Sequence, residues 1–235
     1  MIAKVKKRFL VDTLGNWRKA LGRLAAEFSV VVLGVTIALW ADGWVAERSD
    51  RTIEAARLTA LQDNVNVSLT GLSEARAYAD GAADALRKLA SLEYRERPEG
   101  NLKELLRYGL LYGSTFYPEL NVYDDLKSSG ELALLTNPEL RRSLATMDSR
   151  LELMRIAQAD LVAVQQLNVD AYMIDQLDLS SFYGPLKIDL AFTSDRKFRN
   201  IVLLKLDLVT QIELVFQNLE NALEAVRQSI VTQQQ

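Results

Sequence analysis

The chain has 235 residues, 49% of them hydrophobic and 25% charged, with a formal net charge of −3 and neither cysteine nor histidine. That inventory removes disulfides, thiol nucleophiles, histidine-containing catalytic triads, His/Cys metal sites and the usual axial ligands of haem. The length suits one membrane anchor plus one folded domain, and no cofactor is expected.

Residues 1–23 form a basic tail. Lys4, Lys6, Lys7, Arg8, Arg18, Lys19 and Arg23 outnumber Asp12 and Glu27, so residues 1–27 carry +5. Phe9, Leu10, Leu14, Trp17 and Leu21 interleave with these cations. The tail suits a basic amphipathic helix on anionic lipid; a disordered topogenic tail is the equal alternative.

Residues 24–45, LAAEFSVVVLGVTIALWADGWV, predict a transmembrane helix. Residues 28–41 hold no charge, and about 22 residues rising ~1.5 Å each cross the ~30 Å hydrocarbon core. Glu27 and Asp42 fall near the two headgroup layers, and Trp17, Trp40 and Trp44 suit the interfacial preference of indole. A cleaved signal peptide is the rival, but the region before the apolar run is long and no Ala-x-Ala site follows. Gly34, Ala38 and Asp42 share one helix face, the small-xxx-small spacing that lets a partner helix approach. The cation excess before the span places the N-terminus in the cytoplasm, and residues 46–235, which carry −7, in the periplasm.

The rest of the chain predicts helices. From 46 to 97 a three-and-four stripe runs through Leu58, Leu61, Val65, Ser68, Leu72, Ala75, Ala79, Ala82, Leu86 and Leu89, with only Ser68 polar. Pro98, Glu99 and Gly100 break it, and Asn101 is expected to cap a short helix to about Tyr112. Tyr108, Tyr112, Phe116 and Tyr117 make an aromatic cluster, read chiefly as core at a bundle end and alternatively as a partner patch. A short helix over 120–129 ends at Gly130, where a left-handed cap is available. Asn137 and Pro138 mark the sharpest helix start, with Glu139 at the positive end of the dipole. That helix carries Leu140, Leu144, Met147, Leu151, Met154 and Leu161 to about Gln176. After a break at Gly184 and Pro185, Ser194 is expected to cap a last helix whose stripe is Phe198, Val202, Lys205, Val209, Ile212, Phe216, Leu219, Leu223, Val226 and Ile230. Only Lys205 interrupts that seam. Three long helices with short ones between them predict an all-α fold: an N-terminal transmembrane helix continuing into an elongated antiparallel bundle.

Two segments, EFSVVVLGVTIALWADGWVAERSDR at 27–51 and YDDLKSSGELALLTNPELRRSLATMDSRLE at 123–152, resemble the landmarks of a widespread family of uncharacterised bacterial single-pass inner-membrane proteins, a domain of unknown function. Glu27, Gly34, Ala38, Asp42, Trp44 and Arg48 match its anchor, while Trp40 departs from it. The resemblance implies membrane attachment and no reaction.

Residue chemistry points away from catalysis. Ser128, Ser129 and Gly130 are no nucleophile elbow, and no histidine base exists to activate them. Asp124 and Asp125 lack acidic neighbours for a metal, and the acidic domain does not suit nucleic acid. The leading expectation is a non-catalytic accessory subunit of an inner-membrane complex, including an energy-transducing or photosynthetic one. Its partners would be the lipid bilayer and other membrane-protein subunits, with a homo-oligomer possible in principle. The alternative is a membrane-anchored periplasmic sensory or ligand-binding bundle.

Overall fold

The computed structural model describes the backbone of residues 3–91, 99–111, 113, 115–182 and 191–234. Side chains are described within those ranges except at 3–27, 45–47, 49–50, 99–100, 134, 181 and 234. Every regular element among the described residues is helical. The α-helices are α1 (Ala3–Ser91), α2 (Glu99–Leu106), α3 (Asn121–Ser129), α4 (Pro138–Val164), α5 (Ala171–Gln176) and α6 (Arg196–Gln234). Two π-helical segments, Arg107–Leu111 and Gln165–Asp170, extend α2 and α4.

The chain divides into two units, Met1–Ala56 and Arg57–Gln235. In the first, the side chains at 28–44 are exposed without exception. Among the described residues no helix is long and apolar enough to cross a membrane. The continuous stretch 28–44 has 17 described side chains, about 26 Å of helix at ~1.5 Å per residue.

The second unit is an elongated helical bundle built on the expected stripes. Every stripe position named above on α1 from Leu58, and on α6, is buried, as are Leu140, Leu144, Met147, Leu151, Met154, Gln158 and Leu161 of α4. Helix α4 pairs with α6 in opposite directions, since Ser143 meets Ser229 at 3.2 Å while Gln165 meets Lys205 at 2.5 Å. Helix α1 also opposes α6. Arg76 bonds Glu220 and Gln217, and Arg87 lies 3.8 Å from Glu213.

Three helices alone would leave α1 and α4 parallel and the connection between them unexplained. The segment 99–134 is instead a fourth leg, running back down α1. Gly109 sits against Leu86 and Leu89, Phe116 against Gly71, and Glu119, Val122 and Glu131 bond Ser68, Asn64 and Arg57 in turn. An up-down-up-down bundle results, with a second leg too broken to show as one amphipathic helix. Gly71 of α1 and Gly109 of the leg permit close approach, because a Cβ would stand 3.3 Å from the Phe116 ring at the first and 3.3 Å from Leu86 and Leu89 at the second.

Residues 115–120 of this leg are not helical, so their backbone groups must find other partners. Side chains from the neighbouring helices supply them for Phe116 and Glu119, and for Val122 in the first turn of α3. Buried Gln158 of α4 accepts from Phe116 N at 2.6 Å and donates to Phe116 O at 3.1 Å. Ser68, the one polar member of the α1 stripe, donates to Glu119 O at 3.1 Å, and Asn64 accepts from Val122 N at 3.0 Å.

Several helix ends follow the sequence and two depart from it. Gly130 takes φ 78° at the end of α3, the left-handed cap that glycine adopts without a Cβ penalty. Asn137 caps α4, its Oδ1 accepting from Glu139 N at 2.8 Å and Leu140 N at 3.3 Å. Asn137→Ala is expected to lower bundle stability by about 1 kcal/mol in chemical denaturation, from loss of those two bonds. Helix α2 begins at Glu99, so Asn101 lies inside its first turn and is not its cap. Asp195 and not Ser194 precedes α6: Ser194 closes a 3₁₀ turn, and Asp195 Oδ1 accepts from Lys197 N at 3.2 Å. The expected breaks at Pro98 and at Gly184 and Pro185 lie outside the described residues.

Candidate functional site

Lys205 is the one charged residue on the α6 stripe, and it is only 2% exposed. A buried ammonium costs several kcal/mol unless its hydrogens are taken up. Its Nζ donates to Leu110 O at 2.7 Å and to Gln165 Oε1 at 2.5 Å. Gln165 continues the chain of bonds, donating from Nε2 to Leu110 O at 3.0 Å and to Asp170 Oδ1 at 2.5 Å.

The backbone explains why these groups converge. Leu110 lies near the end of the π-helical Arg107–Leu111, and Gly113 beyond it is not helical, so its carbonyl is near a helix end, where last-turn carbonyls look for other partners. Gln165 and Asp170 begin and end the second π-helical segment. Such wide turns re-aim side chains and recur at functional sites. Lys205 and Gln165 together cap the interrupted leg.

Beside this network lies a cleft of about 260 Å³. One wall is apolar: Ala75, Ala79 and Ala82 from α1 and Val209, Ile212 and Phe216 from α6. Gln165, Asp170 and Lys205 stand at its polar part, and Gly113 and Thr115 line it from the interrupted leg. A second cleft of about 320 Å³ is lined by Arg107, Leu111, Met173, Ile174, Leu179 and Phe182, and Asp170 borders both.

Electrostatics at Lys205 follow from burial. Removal from water pushes its ammonium down to about 8, and the Asp170 carboxylate opposes that shift. The arrangement therefore places a buried, hydrogen-bonded ammonium and a carboxylate beside an apolar wall. Among the described residues no group of three or more acidic side chains could hold a metal ion.

The residues singled out from sequence are spread over both units. Gly34, Ala38, Trp40, Asp42 and Trp44 are all exposed, and a Cβ on Gly34 would meet nothing within 4 Å. Arg48 lies over the Trp44 ring at 5.7 Å. The side chains of Glu27 and of Lys4, Lys6, Lys7, Arg8, Arg18, Lys19 and Arg23 lie outside the described residues, as does Tyr112. Of the aromatic cluster, Tyr108 and Tyr117 are exposed while Phe116 is core, edge-on to Phe216 with ring centroids 6.1 Å apart. Sequence reasoning passed over the Lys205 cleft, although the single charge in an apolar seam was its signal. Gln165 and Asp170 gave none, because a π-helical turn leaves no mark in the three-and-four spacing. No protein-family model, curated protein or solved structure matches this chain.

Proposed function

We propose that this chain is a single-pass protein of the bacterial inner membrane, anchored through residues 24–45, whose bundle serves as a non-catalytic accessory subunit by docking to other membrane proteins. The observation that carries this reading is the exposed, uncharged run at 28–41, in which only Ser29 and Thr36 are polar. Phe28 is 70% exposed, Val30 72%, Leu39 67% and Trp40 73%, so large apolar side chains stand out on several sides of the helix. Sleeves of this kind are stable in hydrocarbon, where backbone groups must be satisfied within the helix. Thr36 meets that demand for its hydroxyl, donating back to Val32 O at 2.8 Å. Residues 24–27 and Val45 bring the sleeve to membrane length, and the cation-rich residues before it favour a cytoplasmic N-terminus. The resemblance at 27–51 and 123–152 supports the same topology. Gly34 and Ala38 lie where a partner helix would approach.

Alkaline carbonate extraction of membranes from cells making the full chain tests the anchor, with retention in the pellet expected. Because the sequence has no cysteine, exposed Ser149→Cys gives a unique label site. Reaction with an impermeant maleimide in intact spheroplasts is the expected topology result. Release into the carbonate supernatant, or labelling only after lysis, contradicts the reading. Gly34→Leu with Ala38→Leu should reduce recovery of co-purifying membrane subunits at least threefold without releasing the chain from the membrane; unchanged recovery removes the packing face.

A further inference from the structure

Where the exposed apolar run of α1 ends, an aromatic ring and a cation stand together. Trp44 is 55% exposed, and the exposed Arg48, one turn further on, holds its guanidinium carbon 5.7 Å from the centre of the Trp44 ring. A cation–π contact of this kind is made by the charge and does not need the five N–H donors of the group. Among the described residues no carboxylate forms an ion pair with Arg48. The helix also keeps the acidic positions of this stretch off its face. At about 100° per residue, positions 42, 47, 50 and 54 all lie roughly 100° or more around α1 from Arg48, and the nearest charged position is the cation Arg51.

Depth then selects the partner. Trp44 stands ~24 Å along the helix from Phe28, so with the run in hydrocarbon its ring reaches the far interface, the place indole prefers. Arg48 falls ~6 Å beyond it, within a headgroup layer ~5–8 Å thick. The anion found at that depth is the phosphodiester of a phospholipid, which the guanidinium fork can grip with two parallel bonds. Zwitterionic headgroups bring their own cation beside the phosphate, where it competes with Arg48; an anionic headgroup brings none. We propose, resting on the anchor reading, that Trp44 and Arg48 form a site for the phosphate of an anionic glycerophospholipid such as phosphatidylglycerol, in the leaflet at the C-terminal end of the span.

Brominated lipids test this on the full-length chain in phosphatidylcholine vesicles, with Trp17→Phe and Trp40→Phe leaving Trp44 as the one indole. Phosphatidylglycerol and phosphatidylcholine brominated at the same shallow acyl position are compared as minor components at equal mole fraction. Brominated phosphatidylglycerol should quench Trp44 roughly two- to fivefold more strongly at low salt, the enrichment that one cation near the surface brings. Arg48→Gln should bring that ratio close to one while the chain stays in the vesicles. Cations of residues 1–23 enrich the same lipid in the opposite leaflet, and they are common to parent and variant. Inorganic phosphate should lower the ratio no more than sodium chloride of equal ionic strength does; a loss specific to phosphate assigns the site to the free ion and overturns the lipid. Equal quenching by the two lipids, or a ratio unchanged in Arg48→Gln, overturns the site and leaves the anchor standing. No quenching by either lipid puts Trp44 outside the bilayer and overturns both.

Discussion

Phe198→Ala is expected to lower the unfolding free energy of the bundle by roughly 3–5 kcal/mol, the range for deleting a buried ring. Phe198 is 1% exposed, edge-on to Phe192 at a centroid distance of 5.3 Å, and Phe192 is in turn edge-on to Tyr172 at 6.4 Å. These contacts tie the start of α6 to α5. Tyr172 adds a hydroxyl bond to Asp195 Oδ2 at 3.2 Å, so loss of the ring also loosens the group that opens α6. Guanidinium unfolding of the full chain, followed by far-ultraviolet circular dichroism, measures the cost. Leu203→Ala, at a position 54% exposed on the same helix, should stay within about 0.5 kcal/mol of the parent; equal losses at both positions would mean that the aromatic contacts stabilise nothing.

Raising the pH from 8 to 10 should make the folded bundle more stable, by roughly 2–3 kcal/mol at ~1.4 kcal/mol per unit. The sign comes from Lys205, whose ammonium is pushed down to about 8 by burial while the unfolded chain keeps the ordinary value of 10.5. In that window the folded state has released a proton that the unfolded state still holds. Stability therefore climbs with pH. Two buried phenols set the upper limit. Tyr123 and Tyr172 are raised by desolvation first and then by Asp148 and Asp195 respectively, Tyr172 to about 12. Their stabilising contribution is complete below pH 10 and is lost as pH rises through those raised values, so the curve should turn down above 10. Lys205→Met keeps much of the side-chain volume without the charge and should flatten the rise between 8 and 10. Parent and variant curves of the same slope would remove Lys205 as its source.

Much of the bundle was legible because burial and spacing agree. The ten-position stripe of α6 and the ten-position stripe from Leu58 to Leu89 are buried throughout, since a three-and-four repeat has one geometric solution once the apolar side must leave water. Asn137 was readable for a different reason: a short polar side chain before proline has few other roles. The second leg was not legible as a leg. Its partners are Gln158, Ser68 and Asn64, which lie 42, 51 and 58 positions from the groups they bond, and no local pattern encodes bonds across such distances. Lys205 shows the intermediate case. Its charge stood out in the seam, but only the meeting of two π-helical segments reveals what takes up its hydrogens.

The interrupted leg also has a consequence for the order in which the molecule assembles. A regular helix satisfies its own amides as it grows, so it gains structure before its neighbours arrive. Phe116 and Glu119 lack that option: the bonds of Phe116 to Gln158 require α4 alongside, and the bond of Glu119 O to Ser68 requires α1. These bonds require closure over 42 and 51 positions of sequence, which the hydrogen bonds within a helix do not. The Phe116 amide loses its bond to Gln158 when α4 withdraws, so its hydrogen exchange is expected to report opening of α4 from the second leg, not local fraying.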